Sequence, residues 1–131
     1  MKVILVFLMW VNVSYAETYI QYKPNGDRDW KADTYTREGD DFTPYAPAGT
    51  RDWNANTYRK EGDKLIPYTS TGSRDWKASE IKVEGDNYIP YTSSGSRDWN
   101  ANTYRKEGDS LVPYTPSGSR DWKAPEIRIK K

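Results

Sequence analysis

The sequence predicts an all-β protein of five tandem β-hairpin repeats, closed into a ring or stacked as a short open solenoid, with a largely disordered repeat protein as the alternative. Three observations lead there. A Gly-x-Arg-Asp-Trp motif recurs at 26–30, 49–53, 72–76, 95–99 and 118–122, a spacing of 23 residues with no insertion or deletion. A Glu-Gly-Asp step separates two short strand-like segments in four of the five copies. The two ends of the array are complementary halves of one hairpin.

The first element is a leader. Met1-Lys2, an apolar stretch from Val3 to Val11, and Asn12-Val13-Ser14-Tyr15-Ala16 supply a charged start, a greasy middle and small residues where signal peptidase cleaves. The apolar run is about half of the ~20 residues that span a bilayer. Residues 1–16 are expected to be removed, leaving one five-repeat β-hairpin domain at 17–131 that is secreted or periplasmic and not stably inserted in a membrane.

Each repeat then reads as a hairpin. In the second unit the strands are expected at 57–61 and 64–68, joined by Gly62-Asp63, with Gly at the first position of a two-residue type II′ turn. That register sets Glu61 against Lys64, Lys60 against Leu65, Arg59 against Ile66, Tyr58 against Pro67 and Thr57 against Tyr68. In the third unit it sets Val83 against Tyr88 and Ile81 against Pro90, with Lys82 and Ile89 on the other face. The proline of each second strand cannot donate to a ladder, so it must point its missing N–H outward or sit at a strand end, and the sheets are expected to be small and interrupted. The segment between hairpins, such as 69–75, has the small polar residues and glycine of turns, with Asp able to bond its own backbone two residues on.

The ends follow from arithmetic. Residues 17–131 number 131 − 16 = 115, which is 5 × 23. Tyr19-Ile20-Gln21-Tyr22 aligns with the second strand of a hairpin and Glu126-Ile127-Arg128-Ile129 with a first strand. Pairing these orphans closes a ring, places residues 18 and 130 within a few strand spacings, and brings Ile20 near Ile127 or Ile129.

Composition narrows the function. After residue 16 the chain has 19 basic and 19 acidic residues (Lys2 is lost from 20), so the electrostatic footprint of a nucleic-acid binder is missing. There is no histidine or cysteine, hence no disulfide and no His- or Cys-based metal site. Aliphatic residues are few, whereas five Trp and ten Tyr remain after the leader, so a core must draw on aromatics. Carboxylate pairs such as Glu61 with Asp63, or Asp75 with Glu80, are candidates for acid and base. They recur from unit to unit, however, whereas an enzyme needs one asymmetric site, so no catalytic residue is assigned. Glu38-Gly39-Asp40-Asp41 offers oxygens to calcium, but Lys64, Asn87 and Ser110 stand where Asp41 does, so no metal or cofactor is expected.

Arg-Asp-Trp is the most regular feature, and two roles compete for it. In one, Trp is the chief core residue, Asp holds the turn and Arg covers the ring or pairs with a neighbouring unit's carboxylate. In the other, aromatic faces stay open and stack on sugar rings, with weak sites adding through avidity. The second reading nominates Trp30, Trp53, Trp76, Trp99, Trp122, Arg51, Arg74, Arg97, Tyr68, Tyr91 and Tyr114 as ligand-binding residues. The short aromatic hairpin repeat is similar in architecture to the choline-binding repeats of bacterial surface proteins and to MORN repeats, although their Gly-Trp and Gly-x-Gly signatures are missing, so membership of neither follows. The expected function is a non-enzymatic repeat protein that binds a polysaccharide or surface polymer and no nucleic acid. The alternative is a structural or adhesive matrix protein with no defined ligand.

Overall fold

A computed structural model of the protein describes residues 16–131, so the expected leader lies outside the described residues apart from Ala16. Ten antiparallel strands form one closed barrel. In chain order they are β1 (Glu17–Tyr22), β2 (Thr34–Glu38), β3 (Asp41–Tyr45), β4 (Thr57–Glu61), β5 (Lys64–Tyr68), β6 (Glu80–Glu84), β7 (Asn87–Tyr91), β8 (Thr103–Glu107), β9 (Ser110–Tyr114) and β10 (Glu126–Lys130).

Four hairpins are continuous, and their register is the expected one: Glu61↔Lys64 through Thr57↔Tyr68 in β4–β5, and Val83↔Tyr88 with Ile81↔Pro90 in β6–β7. Gly62 has φ +66° while among the described residues none other than glycine has positive φ, the pattern of a type II′ turn and not of type I′. The fifth hairpin is split between the chain ends. β1 pairs with β10 from Thr18↔Lys130 to Tyr22↔Glu126, which closes the ring. Ile20 lies opposite Arg128, between Ile127 and Ile129 along the neighbouring strand but facing the other way.

The prolines do not interrupt the sheet, contrary to the sequence expectation. Glu61↔Lys64 closes a two-residue turn and is hydrogen-bonded, so by alternation Tyr58↔Pro67 is a non-bonded pair. The proline nitrogen therefore faces β6, whose pairing with β5 covers only Lys64↔Lys82 and Leu65↔Ile81. No ladder bond is lost there. The Pro67 carbonyl, pointing the same way, accepts the Asp75 N–H at 2.9 Å, and Pro44, Pro90 and Pro113 do the same for Asp52, Asp98 and Asp121.

Strand alternation sorts the side chains into an interior and an outer layer. Across the junctions between hairpins, inward residues meet in pairs: Tyr19 with Tyr35, Phe42 with Tyr58, Leu65 with Ile81, Tyr88 with Tyr104 and Leu111 with Ile127. Below them Pro44, Pro67 and Pro113 are fully buried. Outward-facing Ile66, Ile89 and Val112 are also buried. Their cross-strand partners are Arg59, Lys82 and Arg105, whose aliphatic stems can lie over them while the charges reach water.

Between hairpins the chain turns back once more. Gly72 N–H bonds to the Thr69 carbonyl at 2.9 Å and Tyr68 bridges Arg74, so the connection is a second, smaller reversal closed by a glycine at φ +97°. All five such connections lie at one barrel end, and the Glu-Gly-Asp turns lie at the other.

Two outcomes test this architecture. A Cβ at Gly62 would meet nothing within 4 Å. Gly62→Ala should therefore cost about 1 kcal/mol through backbone strain alone, read as a lower urea midpoint with unchanged slope. Because Lys131 and Glu17 occupy the two turn positions of the fifth hairpin, between the pair Thr18↔Lys130, joining them directly with Lys131→Gly while opening the chain between Ser70 and Thr71 should give a permuted protein with the same far-UV spectrum and a cooperative melt; a non-cooperative melt would contradict the closed ring.

Candidate functional site

The site begins with an aspartate. In each unit the residue after the motif arginine accepts a backbone N–H from two residues on: Asp29 from Lys31, Asp52 from Asn54, Asp75 from Lys77, Asp98 from Asn100 and Asp121 from Lys123, at 2.9–3.1 Å. A second bond, from the Ala78 N–H to the Asp75 carbonyl at 3.3 Å, tightens the turn, and its counterparts occur in the other units. The tryptophan is therefore held at the corner of an Asx-closed turn and directed away from the barrel.

The expectation that Trp forms the core is overturned. Trp30, Trp53, Trp76, Trp99 and Trp122 are 60–69% exposed. The interior is filled instead by Pro, Tyr, Leu, Ile and Phe42, because alternation places strand residues inside and leaves the connections outside. Arg does cover the ring: the guanidinium carbons of Arg28, Arg51, Arg74, Arg97 and Arg120 lie 3.9–4.0 Å from the indole centroids. Such stacking is worth about 0.5–1 kcal/mol at an exposed site. With one face under a cation and most of the ring in water, the opposite face is open.

The guanidinium lies so close that the Nε atoms of these five arginines are buried without a hydrogen-bond partner. Their outer nitrogens differ between units. Arg74 meets Glu80 at 2.7 Å and Arg120 meets Glu126 at 3.4 Å. In the other three units Thr34, Thr57 and Thr103 stand where those glutamates do, and among the described residues no carboxylate pairs with Arg28, Arg51 or Arg97. Three of the five Trp–Arg pairs thus keep donors unclaimed by any carboxylate.

The nominated tyrosines sit apart from the open indoles. Tyr68, Tyr91 and Tyr114 face outward, each under a cation from the adjacent strand: Arg59 at 4.7 Å, Lys82 at 5.8 Å and Arg105 at 4.5 Å. The Tyr68 and Tyr114 hydroxyls donate to Glu61 and Glu107 at 2.6 and 2.7 Å, which raises both phenol pKa values. Glu80 pairs with Lys64 as well as Arg74, and Asp75 accepts the Asn56 amide at 2.9 Å, so these groups are engaged in structural contacts.

Neighbouring units are joined at the Trp end through that amide. Asn56 donates to Asp75 and Asn102 to Asp121, and each bond holds its aspartate below the usual carboxylate range. Asp33 occupies the corresponding place against Asp52. The hydrogen bond to Asp52, then burial, then the like charge push its carboxyl up to about 6, while the same bond lowers Asp52.

Sequence reasoning missed the inward tyrosines Tyr19, Tyr35, Tyr58, Tyr88 and Tyr104. The register alone could have found them, since Tyr58 is paired with Pro67 and shares its face with Leu65. Burial raises their phenol pKa values, to about 12 for Tyr19 and Tyr35.

Among the described residues no helix is long and apolar enough to cross a membrane. No protein-family model, curated protein or solved structure matches this chain.

A pH test follows from the Asp33–Asp52 contact. A carboxyl whose folded pKa is raised adds stability that is complete below its unfolded value near 4 and is lost as pH rises through about 6. Asp33→Asn recreates the amide–carboxylate bond of the Asn56 and Asn102 junctions. It should remove that part of the pH dependence between 4 and 7 and raise the melting midpoint at pH 7 by about 2–5 °C. Equal midpoints for the two proteins across this range would show that the carboxylates do not interact.

Proposed function

We propose that the protein is an exported, non-enzymatic binding module whose five Trp–Arg pairs engage a repetitive polymer, most plainly a polysaccharide. One observation carries the reading: five indoles, each backed by a guanidinium at 3.9–4.0 Å and 60–69% exposed, are displayed at one end of a closed ring. An immobilised flat ring with one open face is what a pyranose stacks on, and adjacent donors suit its hydroxyls. Repetition at fixed spacing turns weak contacts into avidity for a ligand that is itself repetitive. The strands, five or six residues long, fall short of the 9–11 that a membrane-spanning barrel uses. Their outward Arg59, Lys82 and Glu84 suit a protein surrounded by water.

Units with unclaimed arginine donors should bind best. Trp53→Ala or Trp99→Ala should weaken capture of a bound polysaccharide on a glycan array about tenfold, and Trp76→Ala, whose Arg74 is held by Glu80, should weaken it less. Binding should persist in 1 M salt, because stacking is not screened. A folded protein that captures no neutral or acidic polysaccharide would refute this function.

A further inference from the structure

The barrel interior has a chemistry unlike that of the rim. Eight strands enclose a space that side chains just fill, and a ten-stranded barrel is wider. Its largest side chains, the five tryptophans, are all outside. What remains is a cavity of about 270 Å³ whose wall takes one residue from each strand, Tyr, Phe, Leu or Ile throughout, with no charged group among them. A second space of about 220 Å³ shares Tyr58, Ile81, Tyr88 and Tyr104 with the first and adds Ser79, Pro90, Ala101 and Asn102. Ser79, Ala101 and Asn102 precede β6 and β8, so this space leads from the interior toward the Trp end of the barrel.

The two spaces are asymmetric in polarity. Tyr19 donates to Glu17 and Tyr35 to the Asn56 carbonyl. The hydroxyls of Tyr58, Tyr88 and Tyr104, which flank the second space, make no hydrogen bond among the described residues, and burial raises the pKa of all three phenols. The opening falls beside Ser79 for a local reason. Asn56 and Asn102 bridge to the next unit's aspartate, whereas Ser79 at the equivalent position has no such bond to Asp98.

We propose that the barrel interior is a binding site for a small uncharged molecule: a flat apolar ring system that fills the space among Leu65, Ile81, Leu111 and Ile127, with one hydrogen-bonding group left among the Tyr58, Tyr88 and Tyr104 hydroxyls. An apolar cavity of this size holds water poorly and gains contacts when a matching molecule enters. The charges nearest this wall, Arg37 over the Phe42 ring at 5.2 Å and Glu17, face each other at 3.7 Å, so the pair leaves no uncompensated charge to replace the hydration of an ion, and an uncharged ligand is favoured. The second space gives a route in past Ser79, and Ile81, which lines both spaces, stands on that route. This site is independent of the indole rim.

N-phenyl-1-naphthylamine, a neutral fluorophore whose naphthalene and phenyl groups are joined through one N–H and which brightens in apolar surroundings, is the probe. The folded protein, residues 17–131, should give saturable one-to-one brightening with a blue shift, and its melting midpoint should rise by several degrees at saturation. Ile81→Trp should weaken binding by about tenfold or more with the far-UV spectrum retained. Should that variant not fold, Ile81→Phe is measured in its place and should weaken binding in the same direction. Trp76→Ala and Trp99→Ala should leave probe affinity unchanged. Absence of saturable binding and of a melting shift in the parent protein overturns the proposal. So does wild-type affinity in the folded Ile81 variant, and so does loss of binding in the tryptophan variants, which would put the probe on the rim.

Discussion

The pairing of β1 with β10 is the contact on which the rest of the molecule depends. Each hairpin is held by five register pairs, but neighbouring hairpins meet through as few as two, such as Lys64↔Lys82 and Leu65↔Ile81, plus one backbone bond from Val83 to the Asp63 carbonyl. A two-stranded hairpin is marginal alone, and junctions this short would leave an open array frayed at both edges. Closure converts two edges into a fifth hairpin with five pairs of its own. Once the circle is complete, each inward residue has neighbours on both sides, and a chain poor in aliphatics can enclose an interior at all.

That geometry also explains why the most hydrophobic side chains lie outside. A 23-residue unit gives ten residues to its two strands, of which about half face inward. The remainder forms the connection at the barrel end, where the chain reverses twice in quick succession. Tryptophan belongs to the connection. Its ring cannot reach the interior, and the arginine preceding it by two residues shields one face. The interior then depends on proline and tyrosine. Proline is tolerated because hairpin register puts its nitrogen in the non-bonded position beyond the reach of the next hairpin, where its ring can be buried at no cost in hydrogen bonds.

Much of this was legible in the residues. Glu-Gly-Asp fixed the turn, the turn fixed the register, and the register gave each pair from Glu61↔Lys64 to Thr57↔Tyr68 as observed. Counting made closure one of two arrangements, since the orphan ends are complementary but could also cap an open stack; the β1–β10 pairing decides for the ring. The place of tryptophan was not legible, because composition ranks residues by apolarity and says nothing about which lie on strands that bury a face. Nor was the continuity of the sheet: the proline rule is one of direction, and only the alternation of bonded and non-bonded pairs reveals which way each nitrogen points. The outward Ile66 and Val112 were hidden for a similar reason, because their burial is supplied by Arg59 and Arg105 across the strand, residues that composition counts as surface.

The odd number of units has a structural consequence. Units two and four carry Asn-Ala-Asn-Thr-Tyr and units three and five carry Lys-Ala followed by Ser or Pro, then Glu-Ile, so the two types alternate along the chain. A ring of five cannot alternate all the way round. The mismatch falls on the first unit, whose Lys-Ala-Asp-Thr-Tyr joins the start of one type to the end of the other. Where an alternating junction runs from the second unit to the third or from the fourth to the fifth, it pairs Leu with Ile inside and Asn with Asp at the rim. At the first unit the interior pairs are aromatic instead, with Tyr19 edge-on to Phe42 at 5.4 Å and Tyr35 to Tyr58 at 6.1 Å, and the rim sets Asp33 against Asp52. The aromatic pairing is not peculiar to this unit, since the alternating junction between the third and fourth units also sets Tyr88 against Tyr104; what the odd circle leaves at the rim is the Asp33–Asp52 contact, where the chain begins its first complete hairpin.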